Sequence, residues 1–403
     1  MIYPFKTKPY EHQMKALDLG WKKKEFAYFM EMGTGKSKVI VDTAAMLYDA
    51  GLINGLLIVA PKGVYRNWST KEIPEHLPAH IEHRIGVWSS SLTRKKKDEL
   101  NTLFHKSHEL DILVINIDAL ITPKGNLVCR RFLEEHATMM VVDESTIIKT
   151  PSTKRTKAAI GLGKLAAYRR ILTGSPVTKS PLDVFSQFDF LNHNLLDFKS
   201  FWLFKRRYAL IVKQNFGGKV FDQIVGYQNT EELAELVSHH SYRVTKDECL
   251  DLPPKVYLRR EFDMTPEQKA IYKDMTEMAL AFLDDAEVTA TSVITQLLRL
   301  HQISCGNFPA DDGTTRPIKH RRVYELMEAI DETSGKVIIW ANYRADIASI
   351  STAIKEKYGP ASLVSYYGDT SDDDRVEAVR SFQDEKSPVR FFLANSQTGG
   401  YGI

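Results

Sequence analysis

Between an apolar run, Phe26 to Met30, and a helix-like run, Lys38 to Tyr48, stands Met32-Gly33-Thr34-Gly35-Lys36-Ser37. Two glycines, a lysine and a hydroxyl residue in this order are what the binding of a nucleoside triphosphate requires. The glycines let successive backbone N–H groups turn inward around phosphate oxygens, and the helix that follows adds its positive amino end. Lys36 supplies a point charge to the outer phosphates and Ser37 a hydroxyl for Mg2+. The full phosphate-loop pattern has a further glycine where Met30 stands, so the match is to the shorter GxGK[ST] form. A second candidate is Asp143-Glu144, directly after the apolar Met139 to Val142. Carboxylates at the end of a buried strand are costly unless a cation sits there. Magnesium is the natural one, with Asp143 holding it through water and Glu144 polarising the attacking water. A third is Gln13 in Pro9-Tyr10-Glu11-His12-Gln13. Its amide can donate to and accept from an adenine edge while Tyr10 or Phe5 covers the base, although a surface helix start after proline explains the same residues.

Chemistry of this kind needs strands that end where the loops begin. Leu56 to Ala60 stops at Pro61-Lys62-Gly63, Ile112 to Ile115 at Asn116-Ile117-Asp118, and Arg170 to Leu172 at Thr173-Gly174-Ser175-Pro176. With the runs before the phosphate loop and before Asp143, these make five strands alternating with helices, an α/β lobe with a parallel sheet. Trp68 reads as a packing anchor and Arg94-Lys95-Lys96-Lys97 as a solvated helix face. From about Asn192 to Thr315 the strand pattern disappears. There Phe201 to Tyr208 places most of its aromatics on one helical face, as core residues do. Thr265-Pro266-Glu267-Gln268 is a helix start, followed by an apolar stripe at Ile271, Met275, Met278 and Phe282 and by a second helix, Val293 to Ile303. Lys336 to Ala341, Leu363 to Tyr366 and Arg390 to Ala394, separated by helices over Asp346 to Lys357 and Asp372 to Phe382, restore the α/β pattern. Gly399-Gly400-Tyr401-Gly402 could be a mere loop, but its place after a strand of such a lobe suits a close approach of backbone to nucleotide or DNA across a cleft.

The 403 residues suffice for two or three domains, and Lys plus Arg (54) barely exceed Asp plus Glu (51), so contact with a polyanion must come from local patches. Cys129, Cys249 and Cys305 stand too far apart to suggest a zinc site or paired disulfides. No apolar run approaches membrane-spanning length, and the expectation is a cytoplasmic protein without a membrane partner.

The order of segments resembles the Swi/Snf-type DNA translocases of helicase superfamily two, in the compact form of bacterial and phage relatives. The stretches that carry it are KPYEHQ (8–13), EMGTGKS (31–37), LLIVAPKGVYRNW (56–68), DESTIIKTPSTKRTKA (143–158) and LTGSPVTKSPLDVFSQFDFL (172–191). They continue with YRVTKDECLDLPPK (242–255), LLRLHQIS (297–304), KVIIWANY (336–343), YYGDTSDDDR (366–375) and FFLANSQTGGYGI (391–403). The resemblance implies two RecA-like lobes, 1–191 and an incomplete 319–403, joined by a short helical protrusion and connector, 192–318. It implies ATP and Mg2+ as cofactors, double-stranded DNA as partner, and a nucleoid-associated place among replication, recombination or repair proteins. By resemblance Gln13, Met32 to Ser37 and Gly400 bind the nucleotide, Lys36, Asp143 and Glu144 carry catalysis, and Ser37 and Asp143 hold the metal. Lys62, Asn116, Ser175, Asn342 and Thr398 face nucleic acid or relay the nucleotide state to it. A strand-separating helicase or restriction-enzyme motor, or a nucleotide-gated DNA-binding module, would use the same segments. Thr146 stands where the family commonly has histidine, a departure at the position that in the family couples to the Thr173 loop. The sequence stops at Ile403, inside the segment that precedes the family's arginine-bearing final motif. An arginine finger is worth about 10³ to 10⁵ in rate, so the expectation is of a chain cut short that binds ATP and hydrolyses it poorly unless that arginine is supplied.

Overall fold

The computed structural model describes residues 3–216, 219–284, 290–309, 314–368, 370 and 372–396. It divides into two compact units, Met1–Pro254 and Lys255–Ile403.

In the first unit the apolar runs become strands because each can be covered on both faces. They are β1 (Glu25–Met30), β2 (Gly55–Ala60), β3 (His83–Val87), β4 (Leu110–Asn116), β5 (Thr138–Val142) and β6 (Tyr168–Leu172). Side chains alternate across the sheet. Ala27, Phe29, Leu57, Val59, Met140 and Val142 enter one core, while Phe26, Tyr28, Leu56, Ile58, Met139 and Val141 enter the other. Each fully buried aliphatic side chain contributes about 1.5–3 kcal/mol, so a register slip that exchanged the faces would cost the whole sheet. Further along come the hairpin β7 (Ala209–Phe216) and β8 (Lys219–Tyr227), and then β9 (Ser241–Val244). The sheet has seven strands in the order β3-β4-β2-β5-β6-β1-β9, and all its pairings are parallel.

This order corrects the expected boundary at 191. β9 pairs with β1 through Ala27↔Ser241 to Met30↔Val244, so the first unit extends to Pro254. Four residues, Ser241 to Val244, are too few for a periodic signal and are held by the strand they join. β3 lacks an apolar run for a related reason: as an edge strand it is only partly buried and reads HRIGV. The region expected to lack strands also contains the β7–β8 hairpin, whose exposed face carries Val212 and Phe221. The aromatic helix Phe201–Tyr208 buries Phe204 and Tyr208, whereas Trp202 is exposed beneath the Arg206 guanidinium.

The helix expected after Thr265 spans Pro266–Asp284. Its start is a reciprocal cap: Gln268 N–H donates to the Thr265 hydroxyl and Thr265 N–H to the Gln268 Oε1, both at 3.2 Å. The partner helix, Ala290–Ser304, packs Ile303 against Met275. The side chains of Met278 and Phe282 lie outside the described residues. Between these helices and the second sheet lies a short antiparallel pair, β10 (Asn307–Pro309) and β11 (Thr315–Pro317). β12 (Val337–Trp340), β13 (Leu363–Tyr366) and β14 (Phe391–Ala394) form a parallel sheet in the order β12-β14-β13. Helices Arg344–Tyr358 and Asp372–Gln383 accompany it, so this unit too is α/β. No described helix is long and apolar enough to cross a membrane.

Candidate nucleotide site

Three neighbouring strands, β5, β6 and β1, bring the acidic pair, the hydroxyl loop and the phosphate loop to one edge of the sheet. The phosphate loop leaves β1 and runs into the helix α2 (Lys36–Asp49). Gly33 and Gly35 have φ of 84° and 86°, a left-handed backbone that explains why both are glycine. Between them Thr34 is buried, and its hydroxyl donates to the Glu31 carbonyl at 2.8 Å. A side chain at Gly35 would stand 2.1 Å from Gln13 Nε2.

Gln13 lies in α1 (Glu11–Gly20) and is itself buried. Its Nε2 donates to the Thr34 carbonyl at 3.1 Å, and its Oε1 accepts from Tyr10 N–H at 3.0 Å. The His12 ring also meets the Thr34 carbonyl, at 2.8 Å. In this conformation the amide therefore fastens α1 to the loop rather than presenting both ends to a base. Beside it opens a cavity of about 820 Å³ lined by Tyr10, His12, Arg243 and Asp247 among others. Tyr10 is 65% exposed and stacks on His12, so one aromatic face remains available there. Met32 is exposed on the loop's outer side.

Lys36 Nζ lies 3.8 Å from Glu144 Oε1. Glu144 has φ 47°, ψ 58°, an uncommon conformation for a side-chain-bearing residue. Its N–H donates back to Asp143 Oδ1 at 2.9 Å, and its Oε2 accepts from the Thr173 hydroxyl at 3.4 Å. Asp143 Oδ2 accepts from Trp68 Nε1 at 3.0 Å. Burial pushes the Asp143 carboxyl up from its ordinary range against the Trp68 hydrogen bond and the Lys36 charge. Burial, then the neighbouring Asp143 charge, does the same to Glu144. Glu72, whose carboxylate meets the Ser37 hydroxyl, is raised by burial as well. Lys36 thus faces more than one desolvated carboxylate, a donor set that suits a divalent cation. Among the described residues no three acidic, His or Cys side chains converge closely enough to hold an ion alone.

The remaining predicted residues are more scattered. Lys62 and Ser175 follow β2 and β6 and Asn116 ends β4, so all three stand on the same sheet edge as the phosphate loop. Asn116 Oδ1 caps the turn Ile117–Ile121 by accepting from Ala119 N–H at 3.0 Å, and Ser175 is exposed. Asn342 follows β12 in the second unit and lines a cavity of about 170 Å³ with Cys305 and Arg322. Thr398 and Gly400 lie outside the described residues.

The structure adds residues that sequence reasoning passed over. Trp68 is a packing anchor as expected, but it also holds Asp143. Lys246 N–H donates to Glu31 Oε2 at 2.8 Å. The Lys246 side chain lies over the loop, with Nζ 3.7 Å from where a Gly33 Cβ would stand. The one available signal was its place in YRVTKDECLDLPPK.

A parallel sheet with a GxGKS loop, an acidic pair and a hydroxyl loop on adjacent strand ends defines a phosphate-loop ATPase core. Residues 26–308 match the SNF2-related domain, and the chain belongs to that family. It is 31% identical over 377 residues to the SWI/SNF-related matrix-associated actin-dependent regulator of chromatin subfamily A-like protein 1 homolog of Caenorhabditis elegans, covering 93% of this chain and 49% of that one. It is 24% identical over 381 residues to the mouse DNA annealing helicase and endonuclease ZRANB3, with 93% and 32% covered. The chain therefore spans about half the length of the first of these relatives and about a third of the second. Among solved structures, the Sulfolobus solfataricus SWI2/SNF2 ATPase core in complex with dsDNA is similar at 23% identity and a TM-score of 0.48, over 98% of this chain and 79% of that one.

Proposed function

We propose that the protein is a DNA-dependent ATPase that moves along duplex DNA. The observation that carries this reading is the shared sheet edge: the catalytic segments end β1, β5 and β6, and Lys62, Asn116 and Ser175 leave that same edge. Lys36 draws the outer phosphates to the loop, and backbone N–H groups at the start of α2 would hold them. Asp143 and Ser37 would hold Mg2+, which when bound neutralises phosphate charge as it develops. Glu144, desolvated and aimed by its left-handed backbone, accepts a proton from the attacking water, and Thr173 senses the change through its hydrogen bond to the same carboxylate. Hydrolysis at the first unit would change that unit's hold on the DNA backbone. Alternating grips on the phosphate backbone then advance the protein without full strand separation.

The test is ATP turnover measured with duplex DNA, single-stranded DNA, RNA and no nucleic acid, together with displacement of a third strand from a triplex. Duplex-specific stimulation with triplex displacement is expected. Release of a strand from a duplex would favour a strand-separating helicase. Turnover indifferent to DNA, with the triplex intact, would leave only a nucleotide-gated binding module.

A further inference from the structure

The helix Val184–Leu191 places Gln187, with no exposed surface, between two loops of the nucleotide site. Its Oε1 accepts from the Ser145 hydroxyl at 2.6 Å, and its Nε2 donates to the Pro176 and Asp183 carbonyls, both at 2.8 Å. Ser145 follows Glu144 and is also fully buried. Pro176 ends the Thr173-Gly174-Ser175 loop. The neighbouring Ser186 hydroxyl donates to the Lys149 carbonyl at 3.3 Å, and Lys149 Nζ lies 3.5 Å from the Asp183 carboxylate. That carboxylate also accepts from the N–H groups of Thr178 and Lys179 at 3.0 and 2.9 Å. The segment thus grips the acidic turn on one side and the hydroxyl loop on the other.

Both amide hydrogens of Gln187 and its carbonyl oxygen are used. A shift of either loop alone would leave a buried polar group without a partner, a disfavoured outcome. The two loops are therefore joined by a rigid polar strut in addition to the long Thr173–Glu144 bond. We propose that Gln187 is a positioning residue that makes the acidic turn and the Thr173–Pro176 loop move as one, and so transmits the nucleotide state to the DNA-facing edge. This rests on the function proposed above.

The experiment measures duplex affinity with and without a non-hydrolysable ATP analogue, for the unaltered chain, Gln187→Met, Ser145→Ala and the double variant. Linkage of this kind amounts to about 5- to 150-fold. The unaltered chain should show a shift in that range. Each single variant should bring it to within about twofold of no shift while analogue affinity without DNA is kept, and the double variant should add nothing further. A shift retained in both single variants overturns the strut. So does equal loss of analogue affinity in both, which would mark a purely structural role. If Gln187→Met fails to fold, Ser145→Ala breaks the same link from its other end while removing one hydrogen bond instead of three. No shift in the unaltered chain would instead sink the proposed function, and the strut with it.

Discussion

Lys36 and Glu144 face each other across the loop but serve separable steps. Glu144→Gln preserves shape and should retain ATP affinity while turnover falls by about 10²–10⁴-fold, the usual contribution of a positioned base. Lys36→Ala should weaken ATP binding itself. Phosphate release and binding of a fluorescent ATP analogue separate the two outcomes. Away from the site, both ring nitrogens of His136 meet acceptors, the Phe132 carbonyl at 2.9 Å and Asp111 Oδ2 at 3.1 Å. Asp111 is also held by Arg84 at 2.7 and 2.8 Å, and Arg84 lies 3.4 Å from Glu109. Burial opposes a charged imidazole, yet the Asp111 and Phe132 hydrogen bonds outweigh it, so the pKa of His136 is raised. The folded chain thus binds this proton more tightly than the unfolded chain. The resulting stability is fully present below the ordinary histidine value of about 6.5 and is lost as pH rises through the raised one. Urea midpoints should fall over that window, and His136→Gln should flatten the fall.

Arg170 on β6 joins elements rather than residues. Its buried guanidinium donates to the carbonyls of Gly20, Trp21, Lys23 and Lys24 at 3.0, 3.2, 2.6 and 3.0 Å. These carbonyls lie at and just beyond the end of α1, where a cation is favoured; those of Gly20 and Lys24 also accept from the N–H groups of Lys23 and Arg169, at 3.2 and 2.8 Å. The strand that leads into Thr173 thereby fixes the helix that carries Gln13. Arg170→Met would remove the donor from the Trp21 and Lys23 carbonyls at about 1–3 kcal/mol each, and a net loss of about 2 kcal/mol or more is expected from denaturant midpoints. A weaker ATP affinity in the folded fraction should accompany it, because α1 would no longer be anchored behind the phosphate loop.

At the scale of the whole molecule the near balance of charge puts the burden of the proposed DNA binding on local groups. Duplex affinity should depend little on sequence and fall with salt, log K declining by about 0.9 per phosphate neutralised for each unit of log salt. Lys62→Ala should weaken binding to all duplexes alike and reduce that slope by about one. Anisotropy titrations at several salt concentrations measure both. An unchanged slope would remove Lys62 from the interface.

What the sequence by itself determined is local or periodic. The phosphate loop was legible because Gly33 and Gly35 must take positive φ, and the core strands because their apolar runs fit a sheet covered on both faces. Asp143 and Glu144 were legible because a charge pair ending a buried strand needs a reason. Tertiary structure alone decided the rest. Ser145 meets Gln187 across 42 positions, Trp68 meets Asp143 across 75, and Lys246 reaches Glu31 across 215. Such pairings leave no spacing to read, since each forms only after strands far apart in the chain have come to lie side by side.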